Sequence, residues 1–577
     1  MNIPKKTQKI RILGCIGFLL LSVHVAAEHT TTHVVPPSAE AGVLERTIEK
    51  EYEAKPLPPK REIPLLEIDM PEEQLNLDSR TIVFIENIEI ENNTIFKTKT
   101  LRKLISSYEN RKLTMKDILD ICAKIREHYA QHGYFLARAY PPVQNIKNKT
   151  LKISVLEGKL GKITVEGNKH YSEKFIFSYF KRYLGKPLNY DDFFKSLMIV
   201  NENLDLLVGA IFEKGQTVGT ADVILRVNDH RPLNLYLDSN NYGASSTSLY
   251  RSGGRIDYGN LFLDGDIFSI AEVLGSPVDS LSFTSAVYSF PLTKSGLSSQ
   301  VSYLYSKFKV NQFTDLRLRG RSEIASAQVA YKIQRTRVLS TDVYGSFDYK
   351  QIHNFSLGKT TSSDRLRVAR LGFDINYYDS LKGNNYADFS VHQGIPDFLG
   401  GSSSVSKASS REGAGGLFTY CYLDYKRIQT LPASCFFIFN LAGQYSFYKL
   451  PVPEQFYIGG IDTVRGFPLA VLLGDNGYYL NAEFRLPPPC PNARFFNSKR
   501  KWKEVFQFLV FVDNGGVDLK SKEEPLSKGF TNLTSTGAGL RLYGPYHIDV
   551  NFDVGIPLSN HHRSSDSIWY WKVNLTF

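Results

Sequence analysis

Read for where its apolar residues fall, the chain changes period near residue 231. Beyond that point, alternation with a period of two takes over. In 568–577 the odd positions are Trp569, Trp571, Val573, Leu575 and Phe577, and the even ones are Tyr570, Lys572, Asn574 and Thr576. In 547–554, Ile548, Val550, Phe552 and Val554 alternate with His547, Asp549, Asn551 and Asp553, and 233–237, 343–349 and 371–377 divide the same way. Each such segment predicts a strand with one greasy and one wet face. Sixteen can be placed, starting near Leu233, Arg251, Gly265, Leu281, Leu297, Glu323, Val338, Arg365, Asn385, Gly415, Ser434, Asp475, Val505, Thr536, His547 and Ile568.

Ahead of residue 231 the pattern is mixed and it repeats. A β-rich run at 81–90 is followed by a helix at 101–108. Thr114 then opens a longer helix, with Asp117 three residues on and Ile118, Ile121, Cys122, Ile125 and Tyr129 along one face before Gly133. Strands at 135–140 and 151–156 close a small sheet. The same order returns with a strand at 163–166, helices at 172–183 and 190–204, and strands at 209–212 and 221–227. Two copies of roughly 70 to 80 residues make a structural repeat. Further upstream, 38–52 is helix-like. It precedes the proline-rich run Lys55-Pro-Leu-Pro-Pro-Lys-Arg-Glu-Ile-Pro, so 28–71 is expected to be a tethered segment outside any core.

Composition narrows the class. A chain of 577 residues exceeds one compact core. Its 33 Tyr and 37 Phe against 3 Trp and 4 Met suit pleated surfaces better than helical bundles. A net charge of +11 is too thinly spread to argue for nucleic acid, and no nucleic-acid partner is expected. Lys5, Lys6, Lys9 and Arg11 precede an apolar run that ends in Val25-Ala26-Ala27, so 1–27 reads as a secretory signal peptide. Cys15 sits at the front of that run, a poor place for lipidation. Cys122, Cys421, Cys435 and Cys490 are too few to build a fold. Cys421 and Cys435 flank an expected turn near Ile428, where either a disulfide or two separate thiols is compatible with the spacing.

Alternation alone also fits a soluble sandwich. Loop length separates the two. Connections at 260–264, 291–296, 378–384 and 544–546 are short, whereas those at 351–364, 393–414, 446–474 and 515–535 are long. Short turns on one side and long loops on the other mark a barrel that closes because an open edge cannot hydrogen-bond to lipid. Residues 487–503 depart from this, being long on the short-turn side.

The chain from about residue 79 to 577 resembles the two-partner secretion transporters, barrels of the POTRA-bearing outer-membrane superfamily. The resemblance is carried first by Gly459-Gly460-Ile461-Asp462-Thr463-Val464-Arg465-Gly466-Phe467 in the longest loop, which is similar to the superfamily's VRGF/Y tip. Next is Phe511-Val512-Asp513-Asn514-Gly515, similar to the FxDxG strand motif. A weaker third match runs from Asn241-Tyr242-Gly243 through Gly254-Arg255, Asn260 and Asp264-Gly265-Asp266 to Tyr288-Ser289-Phe290-Pro291, and Phe577 supplies the aromatic end.

The resemblance implies a membrane β-barrel of about 16 antiparallel strands preceded by two α+β POTRA domains. The expected division is 1–27 signal peptide, 28–78 helix and linker, 79–157 and 158–230 the two repeats, and 231–577 the barrel. The implied function is export of an unfolded partner exoprotein, captured by repeats in the periplasm. The barrel is expected to be a monomer in outer-membrane lipid, with no cofactor. An insertase of the same superfamily and a passive porin are the alternatives. Strand parity puts Asp513, Glu483 and Arg485 on inner faces. If the long loop folds inward, as the resemblance implies, Arg465 can bridge Asp513, with Glu483 as a second acceptor, forming a conformational latch. Gly466 would let backbones pass closely and Phe467 would pack on the wall. The helix 38–52 would be a plug. His128 and His132 are four apart but lack a third ligand, so no metal is expected. No GxSxG elbow, P-loop or HExxH helix is present, and no catalytic residue is expected.

Overall fold

The computed structural model describes residues 37–52, 66–69, 82–146, 148–311, 314–495, 500–520, 529–544, 547–562 and 564–577. The run 1–27 expected to be a signal peptide and the proline-rich run lie outside the described residues.

In the first repeat, the side chain and backbone of Thr114 and Asp117 close a capping box, with Asp117 N donating to Thr114 Oγ1 at 3.3 Å and Thr114 N to Asp117 Oδ2 at 2.8 Å. This starts the helix Met115–Gln131. Its apolar stripe of Ile118, Ile121, Cys122, Ile125 and Tyr129 packs on strands Asn87–Glu91, Thr150–Leu156 and Arg138–Tyr140. The second repeat has strands Lys159–Glu166, Leu206–Lys214 and Thr220–Asp229 with helices Glu173–Ser178 and Tyr190–Val200.

A carboxylate at the end of the last strand pins each repeat. Glu157 accepts from Thr94 N at 2.6 Å, Ile95 N at 2.8 Å and Tyr129 Oη at 2.9 Å. Asp229 accepts from the amides of Lys169, His170 and Tyr171 at 2.7–2.9 Å. Burial opposes both charges, but these donors outweigh it and hold both carboxyls below their usual range.

The upstream segment is not wholly a free tether. Leu66–Asp69 adds a fourth strand to the second repeat, parallel to Leu206–Lys214, with Leu66 opposite Ala210. Four residues are too short a run to stand out in the sequence. They are held because a sheet edge offers a row of unpaired amides and carbonyls.

The sixteen barrel strands run from Leu233–Asn240 to Ile568–Thr576 and close, with Tyr236 opposite Thr576 and Asn240 opposite Lys572. Two expected loops are shorter than the sequence pattern suggests. The region 351–364 is strand: Leu339–Ser356 and Lys359–Tyr378 are joined by Leu357-Gly358, with φ of 50° and 78°, the left-handed pair that a two-residue hairpin requires. Polar residues at outward positions, such as Gln351, His353, Thr361 and Ser363, remove the alternation by which these strands could be read from the sequence. The loop expected at 515–535 is trimmed likewise by strands that continue to Asp518 and resume at Thr531. Cys421 lies opposite Tyr445, while the turn spans 431–435, so Cys421 and Cys435 are far apart along the hairpin and both are free. The expected turn near Ile428 is displaced toward the Pro432–Ser434 helical turn.

The second repeat sits against the short-turn end of the barrel. Arg335 Nε donates to Glu202 at 2.8 Å and Lys195 Nζ to the carbonyl of Ile333 at 3.0 Å. The helix Ala41–Tyr52, α1, packs against inward residues of the barrel. Ala41 N donates to Asn354 Oδ1 at 3.0 Å, and Lys50 Nζ donates to Tyr479 Oη at 3.1 Å. Gly42 lies so close to Pro453 that a Cβ would come within 2.5 Å of its side chain.

Candidate functional site: a loop fastened to the inner wall

The connection 447–475 turns back into the barrel. Inside it, Phe456–Ile458 and Leu472–Gly474 form a two-stranded ribbon that presents 459–471 to the wall. Gly459, Gly460 and Gly466 have φ of 107°, 97° and 87°, conformations that favour glycine. Gly459 N donates to Thr463 Oγ1 at 2.8 Å and Gly460 N to the Phe467 carbonyl at 3.1 Å, so the tip is a closed, internally bonded turn.

The wall opposite is set by strand parity. Along Phe506–Asp518, Phe508, Val510 and Val512 are exposed to the outside, while Leu509, Phe511 and Asp513 are buried within. Arg465 meets the inner wall with all three guanidinium nitrogens and its backbone N. Nε lies 2.8 Å from Asp513 Oδ2, Nη2 lies 2.9 Å from Asp513 Oδ1, and the backbone N lies 3.1 Å from Oδ2. Nη1 donates to Glu483 Oε2 at 3.0 Å, and Arg485 Nε donates to the other oxygen of Glu483 at 2.6 Å. The guanidinium carbon stands 3.3 Å from the centre of the Phe511 ring.

The neighbouring motif residues shape the seat. A Cβ on Gly515 would come 2.9 Å from Val464, so that glycine leaves room for the valine. A Cβ on Gly466 would come 3.0 Å from the carbonyl carbon of Gly555. Phe467 is fully buried in an apolar cluster with Val464, Ile458, Phe456 and Leu533. With Arg465 and Asp513 both almost out of solvent, removing either would strand a buried charge, which typically costs about 3–5 kcal/mol.

Three further residues contribute that no sequence motif marks. Tyr570 Oη accepts from Gly466 N at 3.0 Å and donates to the Phe467 carbonyl at 3.2 Å. Its place on the wet face of the last strand was the available signal. Arg541 and Asp553, paired at 2.8 and 2.9 Å on the next strands round, continue the ionic belt. Neither belongs to a motif. Among the described residues no group of three or more His, Cys, Asp or Glu is placed to hold a metal ion, and the His128 and His132 rings lie 4.4 Å apart against Phe96.

A closed barrel with α+β repeats before it and a long loop bound to its inner wall defines the POTRA-bearing class of outer-membrane barrels. Residues 219–542 match the family model of the haemolysin secretion/activation protein ShlB/FhaC/HecB, and residues 83–158 match the ShlB-type POTRA domain. The chain belongs to that family, the two-partner secretion transporters of the outer membrane. It is 23% identical to the heme/hemopexin transporter protein HuxB of Haemophilus influenzae over 493 residues, 83% of this chain and 84% of that protein. It is 26% identical to the hemolysin transporter protein ShlB of Serratia marcescens over 488 residues, 80% of each. The solved structure of CdiB from Escherichia coli shares the fold, with a TM-score of 0.76 at 18% identity, covering 95% of this chain and 100% of that one.

Proposed function

We propose that this chain binds an unfolded partner exoprotein through its two repeats on the periplasmic side and passes it outward through the barrel as an extended chain. The observation that carries this reading is the strand Leu66–Asp69, which lies on the edge of the second repeat in parallel backbone pairing with Leu206–Lys214. An edge that takes up one extended segment of its own chain has the geometry to take up another, and main-chain hydrogen bonds read little sequence. Relatives named for transport of a hemolysin and of heme/hemopexin support a secreted protein as the cargo. The barrel works as a monomer in outer-membrane lipid, and folding of the client outside supplies direction. At rest the lumen is occupied by α1 as a plug, and the Arg465–Asp513–Glu483 contact is the latch that keeps the long loop inside.

Deletion of residues 82–229, with a candidate exoprotein encoded beside this gene followed in medium and periplasm, tests the reading. Export should stop and the client should be lost or retained in the periplasm. Unchanged export would reject capture by the repeats, and a passive pore would then be the better description.

A further inference from the structure

The inner wall beneath α1 carries a strip of tyrosines. Tyr422 stands on the inner face of Phe418–Thr430, Tyr479 on that of Asn476–Leu486, and Tyr457 comes from the folded-in loop. Two cations of α1 lie on the rings of Tyr457 and Tyr479. The Arg46 guanidinium is 5.8 Å from the centre of Tyr457, and Lys50 Nζ is 6.0 Å from Tyr457 and 4.8 Å from Tyr479. Asp462 and Tyr422 lie within electrostatic range of Lys50. Tyr457 is 9% exposed, yet among the described residues its hydroxyl has no hydrogen-bond partner. A buried phenol without a partner is costly, so α1 does not satisfy this surface fully.

The contents of the strip indicate what it holds. Tyrosine rings offer broad, stiff contact to many side chains, draw cations to their faces, and carry a polar tip for backbone groups. What occupies it now is a peptide segment that presents an arginine and a lysine one turn apart. Any chain crossing the lumen after α1 withdraws would meet these faces uncovered.

We propose that Tyr422, Tyr457 and Tyr479 form the contact track for the passenger polypeptide, that the track favours extended segments bearing lysine or arginine, and that α1 is its resting self-ligand. This rests on the translocator reading and specifies where within the lumen the passenger touches.

The test uses single pores in a planar bilayer and two synthetic unfolded peptides of roughly 30 residues, about 100 Å when extended. Both are built of Gly and Ser, one with interspersed Lys and the other with Glu. In the protein lacking residues 37–52, the Lys peptide should block current for longer than the Glu peptide. Tyr422→Ala with Tyr479→Ala should shorten the Lys dwell roughly tenfold, the effect of losing two ring contacts, and leave the Glu dwell unchanged. Tyr422→Phe with Tyr479→Phe keeps the faces and should keep most of the dwell. In the full chain, where α1 competes, the Lys peptide should enter less often with the same dwell. Equal dwell for the two peptides, or no loss on changing both tyrosines to alanine, overturns the track while leaving the conduit in place. Should neither peptide enter the deleted pore, the conduit itself is wrong and the track falls with it.

Discussion

A guanidinium that gives one edge, two donors, to one carboxylate, a third donor to another and its face to a phenyl ring is held on every side by protein. That is the state of Arg465 against Asp513, Glu483 and Phe511. Such a contact is strong once made and leaves two exposed ions when broken, so it suits a two-position element better than a graded one. In bilayers, Arg465→Ala and Asp513→Ala are each expected to raise the time spent in high-conductance states, and the double change to add little to either. Additive free energies would show that the pair does not act as one unit. A second residue-scale expectation concerns Asp229. Its folded pKa is depressed, so its stabilisation is present above the unfolded carboxylate range and is lost as pH falls through the folded value. In the full chain, Asp229→Asn should lower the urea resistance of the second repeat by about 1–3 kcal/mol near neutrality. The gap from the parent should close below pH ~4. A gap that stays constant down to pH ~3 would mean the carboxylate's charge is irrelevant.

Among the elements, α1 is positioned by shape as much as by polarity. Gly42 lets it lie against Pro453, and any side chain there must push the helix or the loop aside. Gly42→Val is therefore expected to raise resting conductance while the strand content read by circular dichroism in detergent stays that of the parent. Unchanged conductance would mean that α1 does not occlude the lumen. The barrel strands were legible in the sequence wherever apolar outward residues alternate with polar inward ones, as in Phe506–Asp518 and Ile568–Thr576. They were misjudged wherever outward positions are polar too, as at the facing ends of Leu339–Ser356 and Lys359–Tyr378, which lose the period that reveals a strand. Parity also fixes which side of the wall Asp513 and Glu483 occupy. It cannot say which atoms of a distant loop arrive there, so Tyr570 and its two bonds to the loop backbone were out of reach. The pairing of Arg465 with that wall could be anticipated only through the resemblance of its motif.

At the scale of the whole molecule, segments that precede the repeats fold back onto later parts of the chain: α1 shares the lumen with the folded-in loop, and Leu66–Asp69 joins the sheet of the second repeat. The sequence pattern placed α1 and Leu66–Asp69 together in one tethered segment, 28–71, apart from barrel and repeats, because contacts between segments leave no local period. α1 and the edge strand are joined by residues 53–65, and a fully extended chain covers at most about 3.3–3.6 Å per residue. While Leu66–Asp69 stays paired, a helix expelled from the pore is therefore leashed within about 50 Å of that edge. Its return is an intramolecular event, set by an effective concentration that short linkers place near the millimolar range. Reclosure should then be first order and independent of how many copies share the membrane. A pore emptied of its passenger would reseal by itself, without waiting for anything to diffuse to it.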